Sequence, residues 1–404
     1  MYIYKAGVVG AGTMGAEIAQ VITYAGLPVV LKDVNDELVA KGLEKIRAIY
    51  KRRVDKGKMS AEEMENKLAL VTGTTDYNDF KDVDIIIEAV PEKMDLKKKI
   101  YQEIDKVAGE GTIFASNTSA LSISEMAAST KRPEKFIGMH FFFPASVMKL
   151  VEVIPGLATS QETAEDVINF SESLRKIAVR VNECAGFLVN RLLMPYLNES
   201  AYCLQEGVAT REAIDQAIRD FGLPMGPFTL VDQLGIDVCF DATKVLLDSF
   251  GNRMKPAEIW YLLHDKKYFG LKTGAGFYTY SEKPDVLPQL ISEAQKKTQK
   301  KVTPFSVERL IFPMINEAIL CLEENVAKAA DIDIAMVAGV GFPQNLGGPL
   351  KYADEIGLDR VLNVLEECYR EHGDRFWPAP RLKRMVGAKF LGKKTGRGFF
   401  EYTT

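Results

Sequence analysis

Short apolar runs alternate with charged, amphipathic segments through the first half of the chain. The runs are bounded by glycine, asparagine or charged residues, which is typical of strands buried within a sheet. Charged helical segments separate the earlier runs, and this alternation predicts an α/β fold with a doubly wound sheet. The predicted strands lie at 6–10, 28–34, 83–90, 112–119, 136–143 and 149–154.

From about residue 183 the strand pattern fades and amphipathic helical patterns replace it. One segment shows the i, i+3, i+4, i+7, i+8 spacing of a buried helix face. Its apolar positions are Val189, Leu192, Leu193, Tyr196 and Leu197. We therefore expect an all-α second half.

The helical half contains the same unit twice. The segment "VNRLLMPYLNE" at 189–199 returns as "VERLIFPMINE" at 307–317, with Asn190 replaced by Glu308. Two further segments recur in the same order, "GLPMGPFTLVDQLGID" as "GFPQNLGGPLKYADEIGLD" and "FGLKTGAGFYTY" as "LGKKTGRGFFEY". A match along the whole unit predicts two tandem all-α domains.

The repeat sets the predicted domain organisation. After an α/β domain at 1–182, we expect helical domains at 183–282 and 304–404. The segment between them, 283–303, carries two prolines and is rich in lysine. Such a composition predicts a solvated linker with some helix in it.

Composition excludes several classes of protein. The 404 residues are 47% hydrophobic and 26% charged, with a net charge of −4, so nothing indicates binding to nucleic acid or to a membrane. The most apolar stretch, 136–158, contains charged residues and is not a membrane span. The five cysteines lie far apart without a C-x-x-C pair, which argues against disulfides and a metal site. A strand-like run stands at the start in place of a signal peptide, and we expect a cytoplasmic protein.

A glycine-rich turn follows the first predicted strand and opens a helix. It consists of Gly10, Ala11, Gly12, Thr13, Met14 and Gly15. In a Rossmann-type dinucleotide fold the first glycine makes the turn, the second lets the backbone approach a pyrophosphate and the third packs helix on strand. Asp33, near the end of the next strand, would bind the adenosine ribose and favour NAD over NADP, although Lys32 weakens that preference. The alternative is a βαβ turn that binds no ligand.

Three polar residues stand at or just past predicted strand ends, where ligands of doubly wound sheets bind. They are Glu92, Ser119 and His140. A chain reversal centred on Ser146 would place Glu152 directly opposite His140, and a carboxylate there would orient the imidazole and raise its basicity. The alternative for His140 is a satisfied core histidine.

The other two histidines lie in different surroundings. His264 belongs to a charged helical segment and His372 to "REHGDRF", so both are expected at the surface.

Over residues 1–282 the sequence resembles the L-3-hydroxyacyl-CoA dehydrogenases of fatty-acid β-oxidation. The motifs that carry the resemblance are "SNTSALSI", "GMHFFFPASVMKLVEV", "AGFLVNRLLMPYLNE", "GLPMGPFTLVDQLG" and "FGLKTGAGFY". The resemblance implies that His140 is the general base that takes the hydroxyl proton while hydride passes to NAD, with Glu152 as its orienting partner. Ser119 and Asn190 are similar to the family's hydrogen-bonding residues on the substrate side.

The same resemblance implies the binding residues. NAD would contact the glycine-rich turn and Asp33, Glu92, Lys97, Ser119 and Lys272. The phosphates of an acyl-CoA substrate would meet Lys51, Arg52 and Arg53, for which a solvated helix face is the alternative. One position departs from the family, because Phe143 stands where "HFFNP" usually has asparagine.

The tandem C-terminal domain resembles the large multifunctional β-oxidation subunits, which also carry an enoyl-CoA hydratase domain that has no counterpart in these residues. In single-copy relatives this helical domain pairs with that of a second subunit. The second copy is therefore expected to take the partner's place as an internal pseudo-dimer, which would allow a monomer with a single active site formed by 1–282. The resemblance also allows association with an enoyl-CoA hydratase or a thiolase.

Two alternatives stay open. One is a dehydrogenase of the same plan that acts on a non-CoA hydroxy acid, of the gulonate dehydrogenase/λ-crystallin type, against which the basic cluster at 51–53 argues. The other is a non-catalytic subunit of a β-oxidation complex, against which the intact Ser119, His140, Glu152 and Asn190 argue.

Overall fold

The computed structural model describes residues 1–297 and 304–403 and contains two compact units. The chain passes from the first unit to the second between Phe187 and Leu188. The end of the predicted linker, 298–303, and the last residue of the predicted second helical domain, Thr404, lie outside the described residues. None of the helices in the described ranges combines the length and the hydropathy that crossing a bilayer requires.

The first unit is built on one sheet of eight strands. The strands are β1 Ala6–Val9, β2 Val29–Lys32, β3 Val71–Thr74, β4 Ile85–Glu88, β5 Ile113–Ser116, β6 Phe136–Phe141, β7 Leu150–Pro155 and β8 Ile177–Arg180. Their order is β3-β2-β1-β4-β5-β6-β7-β8, and every neighbouring pair is parallel except β6 and β7. The α/β fold predicted from the apolar runs is confirmed.

Two strands, β3 and β8, have no counterpart among the predicted runs. Both lie at the edges of the sheet, and most of their residues are at least partly exposed. An edge strand is covered on fewer sides, so its sequence lacks the continuous apolar run that marks a central strand.

Six α-helices flank the sheet within residues 1–187. They are α1 Thr13–Tyr24, α2 Asp36–Asp55, α3 Ala61–Leu68, α4 Met94–Ile104, α5 Ile123–Ala127 and α6 Gln161–Ser173. The apolar sides of α1, α2 and α6 pack on one face of the sheet, where side chains such as Ile22, Ile46 and Val167 are fully buried. Burial of each such side chain contributes about 1.5–3 kcal/mol. This packing holds the carboxyl ends of the central strands in place.

The second unit is helical. Its α-helices are α7 Val189–Glu206, α8 Arg211–Phe221, α9 Pro227–Leu234, α10 Ile236–Phe250, α11 Glu258–Asp265, α12 Leu287–Lys297, α13 Val307–Glu323, α14 Ala329–Val340, α15 Pro349–Ile356, α16 Leu358–His372 and α17 Pro380–Gly387. The five apolar positions that predicted a buried face on α7 are all buried. The described part of the expected linker contains α12, whose Leu287, Leu290 and Ala294 are buried, so it is more tightly packed than its composition indicated.

The expectation of a surface position is wrong for His372, which is 9% exposed, whereas His264 is half-buried. His372 ends α16, and its ring lies 5.6 Å from that of Phe376 (centroid to centroid). The charged neighbours of His372 in the sequence hid this position, because a helix end can turn one residue inward while its neighbours stay in solvent.

The two copies of the helical unit pack against each other through α7 and α13. Reciprocal ion pairs cross this contact: Arg191 Nε donates to Glu317 at 2.8 Å, and Arg309 Nε donates to Glu199 at 2.9 Å. Since Arg309 and Glu317 are the counterparts of Arg191 and Glu199, the contact has the self-complementary form of a two-fold interface. This pairing accounts for the recurrence of both residues.

Further arginines complete each half of this network. Glu199, which is 2% exposed, also accepts from Arg375 at 2.9 Å, and Arg309 also donates to Glu206 at 2.7 Å. The other half repeats the arrangement, with Arg253 on Glu317 and Arg191 on Glu324. Burial alone would raise the pKa of Glu199, but Arg375 and Arg309 hold it below its ordinary value.

One buried carboxyl differs between the copies. Asp215 accepts from two backbone N–H groups, from the Thr229 hydroxyl at 2.7 Å and from the Tyr278 hydroxyl at 3.0 Å. Its counterpart Asp333 accepts from the backbone N–H groups of Leu350 and Lys351. Burial raises the pKa of Asp333 to about 7, and its backbone partners oppose that shift.

Candidate active site

The turn between β1 and α1 needs glycine at two positions. Gly10 has a φ of +100°, and a Cβ there would lie 2.7 Å from the carbonyl oxygen of Ala89. A Cβ on Gly15 would lie 1.7 Å from the carbonyl oxygen of Gly10, so the helix could not approach the strand with any other residue. Gly12 is different, because a Cβ there would meet nothing within 4 Å and would project into open space. Glycine at Gly12 therefore keeps the backbone accessible to a ligand.

The first turn of α1 is suited to an anion. The turn contains Thr13 and Met14 and no acidic residue, so its N–H groups and the positive end of the helix dipole are not neutralised by a side chain. Asp33 directly follows β2, and its carboxylate accepts from the backbone N–H of Ala11 and of Val34, each at 2.7 Å. The acid that would bind a ribose is thus held against the glycine-rich turn.

A cavity opens beside this turn at the carboxyl ends of β1, β2 and β4. Its walls combine apolar side chains with a few polar groups. The lining residues are Val9, Gly10, Lys32, Asp33, Val34, Tyr77, Val90, Leu96, Lys99, Ile100 and Glu103. A slot of this composition next to a glycine-rich turn fits the adenosine half of a dinucleotide.

His140 and Glu152 form a buried pair on adjacent strands. In the antiparallel register of β6 and β7 they lie directly opposite each other, as the reversal at Ser146 predicted. The distance from His140 Nδ1 to Glu152 Oε2 is 2.7 Å, and the two residues are 5% and 0% exposed. The Phe142 ring lies 4.5 Å from the imidazole (centroid to centroid) and shields it from water. The histidine is therefore oriented by a carboxylate, and its catalytic role stays a prediction beside the alternative of a satisfied core histidine.

Ser119 and Glu92 are brought together beyond the ends of β4 and β5. Glu92 Oε1 accepts from the backbone N–H of Ser119 at 2.9 Å and of Ala120 at 3.2 Å, and from the Thr118 hydroxyl at 2.5 Å. Ser119 itself is exposed. Glu92 thus fixes the backbone of the loop that carries Ser119.

Two family models cover most of the chain. Residues 5–184 match the NAD-binding domain of 3-hydroxyacyl-CoA dehydrogenase, and residues 186–280 and 305–402 match its C-terminal domain. The chain belongs to the 3-hydroxyacyl-CoA dehydrogenase family. NAD is accordingly the cofactor for which this family's first domain is built, in agreement with the glycine-rich turn and Asp33.

Individual relatives agree with the family. The chain is 39% identical over 398 residues to the fatty acid oxidation complex subunit alpha of Shewanella sp. (strain ANA-3), a match covering 96% of this chain and 56% of that protein. It therefore spans about half the length of the curated relatives it matches. The 3-hydroxybutyryl-CoA dehydrogenase structure from Escherichia coli has a TM-score of 0.87 at 30% identity, covering 96% of this chain and 99% of that one. The structure of (S)-3-hydroxybutyryl-CoA dehydrogenase PaaH1 from Ralstonia eutropha has a TM-score of 0.68 at 42% identity and covers 69% of this chain and 100% of that one.

Lys97 is buried among carboxylates, and its contact with NAD stays a prediction. It is 1% exposed, and its ammonium contacts Glu88 at 2.6 Å, the Val90 carbonyl at 3.3 Å and Glu92 at 3.3 Å. Two of the three donors of the ammonium are thus used in hydrogen bonds to Glu88 and Val90, and Glu92 adds an ion pair. Sequence reasoning missed Glu88, which ends β4 fully buried, although an acid inside the apolar run "DIIIEAV" was a signal for it.

Lys272 and Asn190 belong to the helical unit. Lys272 pairs with Asp237 at 2.5 Å, and the second copy repeats this pair as Lys394 and Asp359 at the same distance. The pair thus accounts for Lys272 without a ligand, and the contact of Lys272 with NAD stays a prediction. Asn190 lies in the first turn of α7.

The three basic residues at the end of α2 differ in their exposure to solvent. Lys51 and Arg52 are exposed, whereas Arg53 is partly buried, donates to the Tyr24 hydroxyl at 2.8 Å and has its guanidinium 4.4 Å from the centroid of that ring. Arg175 approaches the same ring at 5.7 Å.

Phe143, the departure from the family motif, is 58% exposed just past His140.

Proposed function

We propose that the chain is an NAD-dependent 3-hydroxyacyl-CoA dehydrogenase, which interconverts L-3-hydroxyacyl-CoA and 3-ketoacyl-CoA in fatty-acid β-oxidation or related acyl-CoA metabolism. The observation that carries the proposal is the buried His140–Glu152 pair at the carboxyl edge of the sheet that also carries the dinucleotide turn. Oxidation of a secondary alcohol needs a base for the hydroxyl proton, and this pair is built to supply one.

His140 handles the proton. An ionised carboxylate can only accept a hydrogen bond, so Glu152 holds the proton on Nδ1 and leaves Nε2 as the basic nitrogen. Nε2 takes the hydroxyl proton during oxidation and returns it to the forming alcohol during reduction. Glu152 stabilises the imidazolium that exists between these events. NAD, when bound, accepts or supplies the hydride.

Ser119 and Asn190 are proposed to hydrogen-bond the substrate oxygen on which charge changes during the reaction. Glu92, held by Lys97 and the loop of Ser119, is proposed to position that loop and to border the cofactor. Lys97 is then proposed to act through Glu92, with which it forms an ion pair while its ammonium is buried.

The CoA phosphates are proposed to meet Lys51, Arg52 and Arg53. Arg53 is held in place by Tyr24, and Arg175 adds a second guanidinium near that ring. Two guanidinium groups around one phenol offer bidentate donors of the kind that phosphate oxygens prefer.

The curated relatives are subunits of fatty acid oxidation complexes. We therefore propose that the chain works beside an enoyl-CoA hydratase or a thiolase, whose reactions precede and follow the oxidation of a 3-hydroxyacyl-CoA. Its two helical copies supply to each other the packing face that a second subunit would otherwise cover.

The test is the oxidation of NADH by the purified chain with acetoacetyl-CoA, followed by absorbance, with acetoacetate and gulonate plus NAD as comparison substrates. The proposal expects turnover with acetoacetyl-CoA and at most trace activity with the free acids. Turnover of a free hydroxy acid alone would support the non-CoA alternative. No turnover of any substrate would support a non-catalytic subunit of a β-oxidation complex.

A further inference from the structure

The floor of the nucleotide cavity contains a buried lysine that the proposed reaction does not use. Lys32 ends β2, is 5% exposed, and its ammonium lies 4.0 Å from the centroid of the Tyr77 ring. The hydrogen bond of this ammonium within the described residues goes to the carbonyl oxygen of Asp33 at 3.3 Å, which is long for a charged donor. An ammonium carries three donors; one goes to the Asp33 carbonyl and the Tyr77 ring covers another side, so one donor remains for a ligand in the cavity.

A carboxylate faces the same cavity from another element. Glu103, in the last turn of α4, lines the cavity and is partly buried. In the part of the chain that the structure describes, the Glu103 carboxylate has no hydrogen bond or ion pair, and the Lys32 ammonium lies beyond ion-pair distance from it. Burial lowers the pKa of Lys32, and the charges of Asp33, Glu103 and Asp76 act in the opposite direction. A cation and an anion thus face one cavity without contacting each other.

A ligand that bridges them must accept a hydrogen bond at one point and donate one at a neighbouring point. Adenine has such an edge, because its exocyclic amine donates while the adjacent ring nitrogen accepts. Val34, Leu96 and Ile100 supply the apolar walls that a flat base requires. Asp33, at the ribose position, lies between this cavity and the glycine-rich turn.

We propose that Lys32 and Glu103 read the base of the dinucleotide: Glu103 accepts from the exocyclic amine of adenine, and Lys32 donates to the adjacent ring nitrogen. The two residues are then determinants of cofactor specificity, and they select adenine over bases with a carbonyl in place of the amine. The inference rests on NAD as the cofactor and is independent of the acyl substrate.

Hypoxanthine provides the discriminating probe. In nicotinamide hypoxanthine dinucleotide a carbonyl oxygen replaces the amine, and the adjacent ring nitrogen carries a proton. The carbonyl would then face the Glu103 carboxylate, and the ring N–H would face the Lys32 ammonium. Loss of a hydrogen bond to a charged group, with that group left unpaired, weakens binding roughly ten- to a hundredfold. We expect the dissociation constant of the reduced hypoxanthine dinucleotide to exceed that of NADH by this factor.

The variants separate the two contacts. In Glu103→Gln the amide can donate to the hypoxanthine carbonyl, so the preference for NADH should fall at least about threefold from its wild-type value, while the ring N–H still faces Lys32. Lys32→Met should weaken NADH binding about tenfold or more, because the ring nitrogen loses its donor. The matched controls are Glu110→Gln and Lys106→Met, two exposed residues that do not line the cavity, and both should keep the wild-type ratio.

The experiment is a fluorescence titration of both reduced dinucleotides without acyl substrate, with thermal melting of each variant as a check of folding. Equal affinities in the wild type, or an unchanged ratio in a folded Glu103→Gln, would overturn the proposal. If Glu103→Gln does not fold, the ratio of the two dissociation constants in the wild type is the deciding measurement. If neither dinucleotide binds, both this inference and the assignment of NAD as the cofactor are wrong. If both bind with the expected ratio but no turnover is found, only the proposed reaction is contradicted.

Discussion

The reciprocal ion pairs between α7 and α13 offer a direct test of how the two helical copies hold together. The perturbation is Glu199→Gln, which removes one charge and keeps the shape of the side chain. Glu199 is 2% exposed and receives Arg309 at 2.7 Å and Arg375 at 2.9 Å. After the change Arg309, which is 3% exposed, keeps Glu206, while Arg375 loses its carboxylate.

The expected loss follows from this burial. Breaking a buried ion pair by removal of one partner is destabilising by about 3–5 kcal/mol, because the remaining charge stays buried without compensation. The pKa of Glu199 is held below its ordinary value. A carboxyl group whose pKa is lower in the folded state stabilises that state at every pH above its pKa in the unfolded chain. This stabilisation is lost as the pH falls through the pKa of the folded state. The difference between wild type and Glu199→Gln should therefore shrink in acid.

The matched control is the exposed pair of Glu308 and Arg360, which are 32% and 57% exposed at their side chains and 2.9 Å apart. Glu308→Gln should change stability by less than about 1 kcal/mol, because surface pairs contribute little. The symmetric change Glu317→Gln should cost about as much as Glu199→Gln, since the network is reciprocal.

The assay is urea unfolding followed by tryptophan fluorescence. The two tryptophans of the chain, Trp260 and Trp377, both lie in the helical unit, so the signal reports that unit alone. A loss below 1 kcal/mol for Glu199→Gln, equal to that of Glu308→Gln, would refute the view that the buried network couples the two copies.

Three further changes test the site and the repeat. His140→Ala should lower the rate with acetoacetyl-CoA by roughly 10²–10⁴-fold while NADH still binds in a fluorescence titration, and retention of half the activity would remove His140 from catalysis. Because the pKa of Asp333 is raised to about 7, the folded state holds a proton that the unfolded state has released, so stability should fall as the pH rises from about 4 to about 7. Asp333→Asn should remove that slope in urea unfolding; an unchanged slope would contradict the assignment. Phe143→Asn should alter the Michaelis constant for NAD or the acyl-chain profile more than thermal stability, and identical kinetics would show that the departure is neutral.

The sequence by itself determined those features that depend on neighbouring residues or on a short reversal. The glycine-rich turn could be predicted because close approach of strand and helix excludes any Cβ at Gly15. The opposition of His140 and Glu152 followed from their equal distance along the chain from Ser146, the centre of one reversal between two antiparallel strands. The duplicated helical unit could be recognised because its sequence motifs recur in the same order. The buried face of α7 could be recognised from the helical spacing of its apolar residues.

Tertiary structure decided the features in which distant residues converge. The fold buries Lys97 against Glu88, and no local pattern specifies which carboxylate an ammonium will meet. The same holds for Lys32 and Glu103, which come from a strand and a helix far apart in the chain and meet at one cavity. Periodicity tells which side of an element is buried, whereas the partner of a buried charge depends on the packing of several elements at once. For that reason the pairing of His140 with Glu152 could be predicted from the sequence, whereas the facing charges of Lys32 and Glu103 became visible only in the folded chain.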